Sequence, residues 1–140
     1  LRFGLVLSAA GGALGRMLPL FRVGLGGVIG SGEQFMSWIS LHDALHVVDY
    51  ALATDILAGP VNVVAPTPVA NREFVQTLAR ALRRPALAPL PAFAVRLLLG
   101  EMGQETLLSS ARVRPVKLEQ SGFSFAHGDL SAALRHLLAE

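Results

Sequence analysis

Cysteine is absent from the 140 residues, and lysine, tryptophan and tyrosine occur once each, as Lys117, Trp38 and Tyr50. Without thiols there is no disulfide framework, no thiolate nucleophile and no cysteine-ligated metal, and the composition fits a reducing cytoplasm. The lone tyrosine is followed four residues on by Thr54, so the chain carries no Tyr-x-x-x-Lys acid–base pair. Ser8-Ala9-Ala10 is no nucleophile elbow, and nothing orders serine, histidine and aspartate into a triad. No catalytic residue is therefore expected in this segment.

Charge is also scarce, at 16% of residues against 52% hydrophobic. Eleven arginines and one lysine oppose ten acids, for a net charge of +2, although the pI is near 9.9. No five like charges run together. The densest group, Arg80, Arg83 and Arg84, falls at an expected helix end, where cations complement the dipole. A nucleic-acid partner is not expected. Long apolar runs are missing despite a mean hydropathy of +0.51. The longest uncharged stretch, between Asp55 and Arg72, is interrupted by Pro60, Pro66 and Pro68 and falls short of the ~20 apolar residues of a membrane span. A soluble globular unit is expected. The first residue is Leu1 and an apolar strand begins within seven residues, which leads us to expect part of a longer protein.

What is present alternates between strand and helix, the pattern of an α/β fold. Leu5, Val6 and Leu7 make an almost wholly apolar run, as in a strand covered on both faces. Residues 13–23 read as a helix with Leu14, Met17, Leu18 and Phe21 on one face and a break or kink at Pro19. A glycine-rich loop over 24–32 follows, read either as a mobile loop or as an amide lining for an anion, against which Glu33 would act. Residues 35–41 read as a strand, 41–54 as a helix and 61–64 as a strand. Asn71 is an expected N-cap for a helix carrying Phe74, Val75, Leu78 and Leu82. Beyond it we expect a short strand at 86–90, a helix over 92–99, a helix over 112–120 stopped by Gly122, and a last helix from Leu130 capped by Asp129 or Ser131. Residues 1–66 form a sheet-building half and 67–140 a mostly helical one.

Two motifs invite sharper readings. Gly11-Gly12-x-x-Gly15 after a strand imitates a dinucleotide turn, but the spacing is not G-x-G-x-x-G, and Glu33 does not end a second strand. A strand end facing a pocket, with small residues leaving room for a ligand, fits better. His42-Asp43-Ala44-Leu45-His46 nearly spells the H-E-x-x-H metal helix. The acid is a methylene short, and His127 and His136 lie far away in the tail, so no metal is assigned. Asp43 reads instead as a first-turn acid able to accept backbone N–H groups. Glu101 and Glu105 would share a helical face as a solvated pair.

A set of ordered motifs resembles one family. They are Arg2-Phe3-Gly4-Leu5-Val6-Leu7, Gly11-Gly12-Ala13-Leu14, Met17-Leu18-Pro19-x-Phe21, Gly24-Leu25-Gly26-Gly27 and Gly30-Ser31-Gly32-x-Gln34-x-x-Ser37-Trp38-Ile39-x-x-x-Asp43. The series continues with Gly59-Pro60-Val61-Asn62, Pro66-x-Pro68-Val69-x-Asn71-x-Glu73-Phe74, Leu98-Leu99-Gly100-Glu101-Met102, Arg112-Val113-x-Pro115-x-Lys117-Leu118 and Gly122-Phe123-x-Phe125. Together they resemble the epimerase-like branch of the extended short-chain dehydrogenase/reductases, often described as nucleoside-diphosphate-sugar epimerases. The resemblance implies the C-terminal part of a Rossmann-like fold with a small, mostly helical C-terminal lobe of unknown function. In such proteins the phosphate-binding glycine turn and the Tyr/Lys pair lie in a preceding segment.

By the same resemblance, Leu5, Val6, Leu7 and Ser8 would pass the nicotinamide end of NADP or NAD. Gly11, Gly12, Gln34, Met36 and Trp38 would border the cleft for a small molecule such as a sugar nucleotide. Asp43 matches a structural acid at a helix start. Ser40 stands where family members often carry histidine, and Glu33 where they often carry a base. The leading expectation is a fragment of an NAD(P)-dependent epimerase or oxidoreductase, inactive without the preceding segment. The alternative is an NADP-binding regulatory or interaction protein that keeps the fold without catalysis.

Overall fold

Residues 2–7 run as two short strands, β1 (Arg2–Phe3) and β2 (Leu5–Leu7), separated at Gly4. The structure, a computed structural model, describes residues 1–86, 89, 93, 94, 96, 97, 100 and 110–139. Gly4 is where the strand changes neighbour. A Cβ there would lie 2.5 Å from the Ser37 carbonyl oxygen and 2.7 Å from Val64 Cγ1, so only glycine lets three backbones meet.

Helix α1 (Gly12–Arg22) comes next, then β3 (Phe35–Met36), β4 (Trp38–Ser40), α2 (Leu41–Ala53), β5 (Asn62–Val63), β6 (Val69–Ala70) and α3 (Asn71–Leu82). Helices α4 (Val116–Ser121) and α5 (Leu130–Leu138) end the described chain. β1 pairs in parallel with β5, and β2 in parallel with β4 in the register Leu5–Trp38, Val6–Ile39, Leu7–Ser40. β3 pairs antiparallel with β6. The strand expected over 35–41 is thus two, divided at Ser37, because its first half serves an antiparallel partner and its second a parallel one.

The apolar run in β2 has the covering it calls for. Leu7 and Trp38 enter a core built with Leu14, Phe21, Phe74 and the inner face of α5. Val6 and Ile39 face the other way, into a second core with Val47, Val63 and Leu118, flanked by Tyr50, Phe123 and Phe125. Each fully buried Leu or Phe contributes about 1.5–3 kcal/mol. The first core draws on residues from both sides of position 66, so the sheet-building and helical halves share one interior.

Several expectations need correction. Pro19 sits inside α1 without ending it; its ring faces solvent, and the turn beyond is closed by Val23 N–H to the Pro19 carbonyl and Leu25 N–H to that of Leu20. Asn71 is not the N-cap of α3: that position is Ala70, and Asn71 is the first helical residue. The helix expected over 112–120 begins only at Val116. Upstream, Ala111 N–H bonds the Phe35 carbonyl, while Ser37 Oγ donates to the Ala111 carbonyl at 2.7 Å and accepts Val113 N–H at 2.9 Å. Those backbone groups are committed to the strand and are not free for a helix.

Gly122 stops α4 at φ +90°, and Asp129 caps α5 by accepting Ala132 N–H. Arg84 Nε donates to the Arg22 carbonyl at the end of α1, so part of the arginine cluster does complement a helix terminus. The strand expected at 86–90, the helix over 92–99, the Glu101/Glu105 pair and the Glu101-Met102 motif lie wholly or partly outside the described residues.

Candidate functional site

Ligands of parallel α/β sheets bind beyond the carboxyl ends of the strands. Here that end is the turn from Ser8 to Gly12, which leaves β2 and opens α1. Ser8 Oγ accepts Ala10 N–H at 3.3 Å, and Ser8 bridges Gly11 across the turn. Gly12 adopts φ +65°, which makes a side chain there strained, and a Cβ on Gly11 would meet nothing within 4 Å. The turn therefore presents backbone and open space. Leu5, Val6 and Ser8 are half-buried and Leu7 is fully buried, so an apolar strand edge leads up to this opening.

The other residues expected at the cleft point inward. Trp38 is 1% exposed and its Nε1–H donates to the Thr67 carbonyl. Met36 is buried, its sulfur accepting a hydrogen bond from Asn71 Nδ2 at 3.5 Å. Gln34 is buried too and donates from Nε2 to the Ile29 carbonyl at 2.9 Å. Asn71 Oδ1 accepts Ile29 N–H at 2.8 Å, so the glycine-rich loop is tied at its centre from both sides. Arg72 adds a bond from Nη2 to the Ser31 carbonyl.

A cleft of about 440 Å³ lies elsewhere, between Phe3, Leu5, Phe35, Val64 and Val113, with Arg2 on its wall. It shares only Leu5 and Met36 with the residues named from the sequence. It sits where β2 and β4 begin, opposite to the strand ends that carry chemistry in this architecture, so size alone does not make it the reaction site.

At the other end of β4, Ser40 caps α2 by accepting Asp43 N–H at 3.1 Å. Asp43 is completely buried, and its two carboxylate oxygens accept Ala126 N–H and His127 N–H, each at 2.9 Å. This clamp brings the tail beside α2, so His127 and His136, far from His42 in sequence, lie against it. Spacing along α2 shows the pair but holds no signal for the arrival of the other two. Tyr50 is held as well: its hydroxyl donates to the Ser121 carbonyl at 2.9 Å and lies 3.1 Å from Ser121 Oγ.

Two parallel strand pairs with helices packed on both faces, joined to a small antiparallel pair, make an α/β unit, and its structural neighbours are Rossmann-like epimerase folds. The human epimerase family protein SDR39U1, solved with NADPH, superposes with a TM-score of 0.91 at 40% identity over 99% of this chain and 47% of its own. A nucleoside-diphosphate sugar epimerase from Corynebacterium glutamicum gives 0.72 at 29% identity, covering 99% of this chain and 25% of that one. Epimerase family protein Mb2239 of Mycobacterium bovis is 50% identical over 133 residues, 95% of this chain and 44% of that protein. Residues 90–137 match the domain of unknown function DUF1731. Over nearly its whole length the chain is similar to epimerase family proteins and corresponds to a C-terminal part of them, spanning 44% of the Mycobacterium bovis protein and 47% of the human one. Among the described residues, no helix is long and apolar enough to cross a membrane.

Proposed function

We propose that this chain supplies the substrate-facing and carboxyl-terminal part of a cytoplasmic NAD(P)-dependent epimerase or reductase. Its hydride-transfer acid and base lie outside these 140 residues. The observation that carries the reading is the close superposition on an NADPH-bound relative, combined with a lone Tyr50 whose hydroxyl is already bonded to Ser121. When bound, the nicotinamide supplies or accepts the hydride. Leu5, Val6, Leu7 and Ser8 would give its ring an apolar strand edge, and the small turn fits a flat group because no side chain fills it.

Gly11 and Gly12 would leave space for the substrate, a small molecule such as a sugar nucleotide. Gln34, Met36 and Trp38 would border that space from behind, fixing the wall, with their polar atoms engaged inside the protein. The division at residue 66 is then one of labour, with sheet and cleft before it and helical support after it. No fixed cation stands among these residues to hold a diphosphate, which supports assigning the phosphate contacts to the remainder of the longer protein.

Titration of the full-length protein and of the 140-residue chain with NADPH, followed by a screen of carbonyl and sugar-nucleotide substrates, tests the reading. We expect binding and oxidation of NADPH by the full-length protein and neither by the shorter chain. Turnover by the 140 residues alone would overturn the proposal. Tight NADPH binding by the full-length protein with no substrate oxidising it would favour a cofactor-binding regulatory protein instead.

A further inference from the structure

Four histidines from three separated stretches of chain meet on one surface of the molecule. His42 and His46 stand one turn apart on α2, with ring centroids 4.2 Å apart. His127 comes from the turn before α5, 4.9 Å from His42, and His136 from α5 itself, 6.1 Å from His42 and 4.3 Å from His127. We propose that His42, His46, His127 and His136 form a binding site for a divalent transition metal of the zinc type.

The convergence is imposed by other parts of the fold. The Asp43 carboxylate fixes the turn by bonding Ala126 N–H and His127 N–H, and α5 is fixed by Leu130, Ala133, Leu134 and Leu137 in the first core. The imidazoles are thus delivered to one place by groups that would hold them there with or without a metal. His42 is the hub, in ring contact with each of the other three.

The spacing suits coordination. Four-coordinate zinc binds imidazole nitrogen at about 2.0–2.1 Å, which places the ring centroids of neighbouring ligands about 5 Å apart. The four ring contacts, at 4.2, 4.3, 4.9 and 6.1 Å, bracket that value, and closing the site requires the His46 ring, which packs on His42, to turn toward His127 and His136. Potential donor atoms of His42, Asp43 and His46 already lie within 4.8 Å of one another.

Both Asp43 oxygens are committed to backbone N–H groups, but one lies 3.7 Å from His42 Nδ1. That position suits a carboxylate that orients a metal-bound histidine and offsets cationic charge. Imidazoles without thiolates select zinc, nickel or copper(II) over copper(I), and the shortage of free oxygen donors disfavours magnesium and calcium. The site is open to solvent: the His42 side chain is 42% exposed, and His46 and His136 are exposed as well. A bound metal would fasten the start of α2 to the tail helix, a cross-link independent of the nicotinamide chemistry.

The test uses full-length protein purified without a polyhistidine tag, stripped with chelator and titrated with zinc chloride against a chromophoric competitor. Metal content is counted after dialysis. Relative to a His46→Ala/His136→Ala double variant, the parent protein should hold one additional zinc per chain. Its melting temperature should rise by at least about 5 °C at zinc a hundredfold above Kd. Each single variant should weaken binding at least about tenfold. Both positions are exposed, so unchanged circular dichroism will show that the variants fold. Equal metal content in parent and double variant would overturn the site. Loss with His46→Ala but not with His136→Ala would also overturn it, reducing the feature to an ordinary pair on one helix.

Discussion

Helices α2 and α3 each follow a short strand and each begin with a buried polar side chain, but the two side chains hold the molecule together differently. At α2 the side chain is the charged Asp43, which accepts two backbone N–H groups from a turn 83 and 84 residues away. At α3 it is the neutral Asn71, which accepts one N–H from Ile29 and donates to the Met36 sulfur. One is an acceptor with two charge-assisted bonds; the other splits its amide between one good bond and one weak one. A buried carboxylate is tolerated here because its neighbours are directed N–H dipoles and a helix N-terminus, both favourable to negative charge.

The sharpest way to break this contrast is truncation. Asp43→Ala should lower stability by about 3–5 kcal/mol, since it removes two bonds to a charged acceptor and strands two N–H groups. It should also accelerate hydrogen exchange at Ala126 and His127. Asn71→Ala should cost less, about 1–3 kcal/mol, and loosen the glycine-rich loop around Ile29. Urea unfolding compares the two directly, and equal losses would mean that the charge at α2 adds nothing. Asp129→Ala sharpens the comparison from the other side. The same residue type, here at an exposed position, caps α5 through a single bond to Ala132 N–H, so its removal should cost only about 1 kcal/mol.

These helix starts also mark where sequence reading succeeds and where it stops. The extents of α1 and α2, the stop at Gly122 and the cap at Asp129 follow from local rules of periodicity and capping, and the structure agrees with them closely. Asn71 looks like a cap to those rules because its residue type suits one. Its actual partners, Ile29 and Met36, are 42 and 35 residues away and leave no local trace. Pro115 is a local signal for a helix that starts at Val116, and upstream of it Ser37 and Phe35 claim the backbone of Ala111 and Val113.

For the cleft, the open turn at Gly11 and Gly12 was legible as small residues after an apolar strand. The inward orientation of Gln34, Met36 and Trp38 was not, because strand alternation says which residues share a face but not which face is closed. The histidine cluster was half legible, as a pair on one helix. Its other half depends on where the tail lands, which the Asp43 clamp decides.

That clamp also sets an order of events as the chain is made. Asp43 leaves the ribosome 83 residues ahead of Ala126, an interval of roughly 4–17 s at about 5–20 residues per second. Throughout that time the first turn of α2 can form, with Ser40 bonded to the Asp43 amide, while the carboxylate stays hydrated and the second core lacks α4 and its neighbouring phenylalanines. Only when residues 126 and 127 emerge can the carboxylate exchange water for two amides and be enclosed. A single buried side chain thereby makes enclosure of the start of α2 wait for the turn at residues 126 and 127.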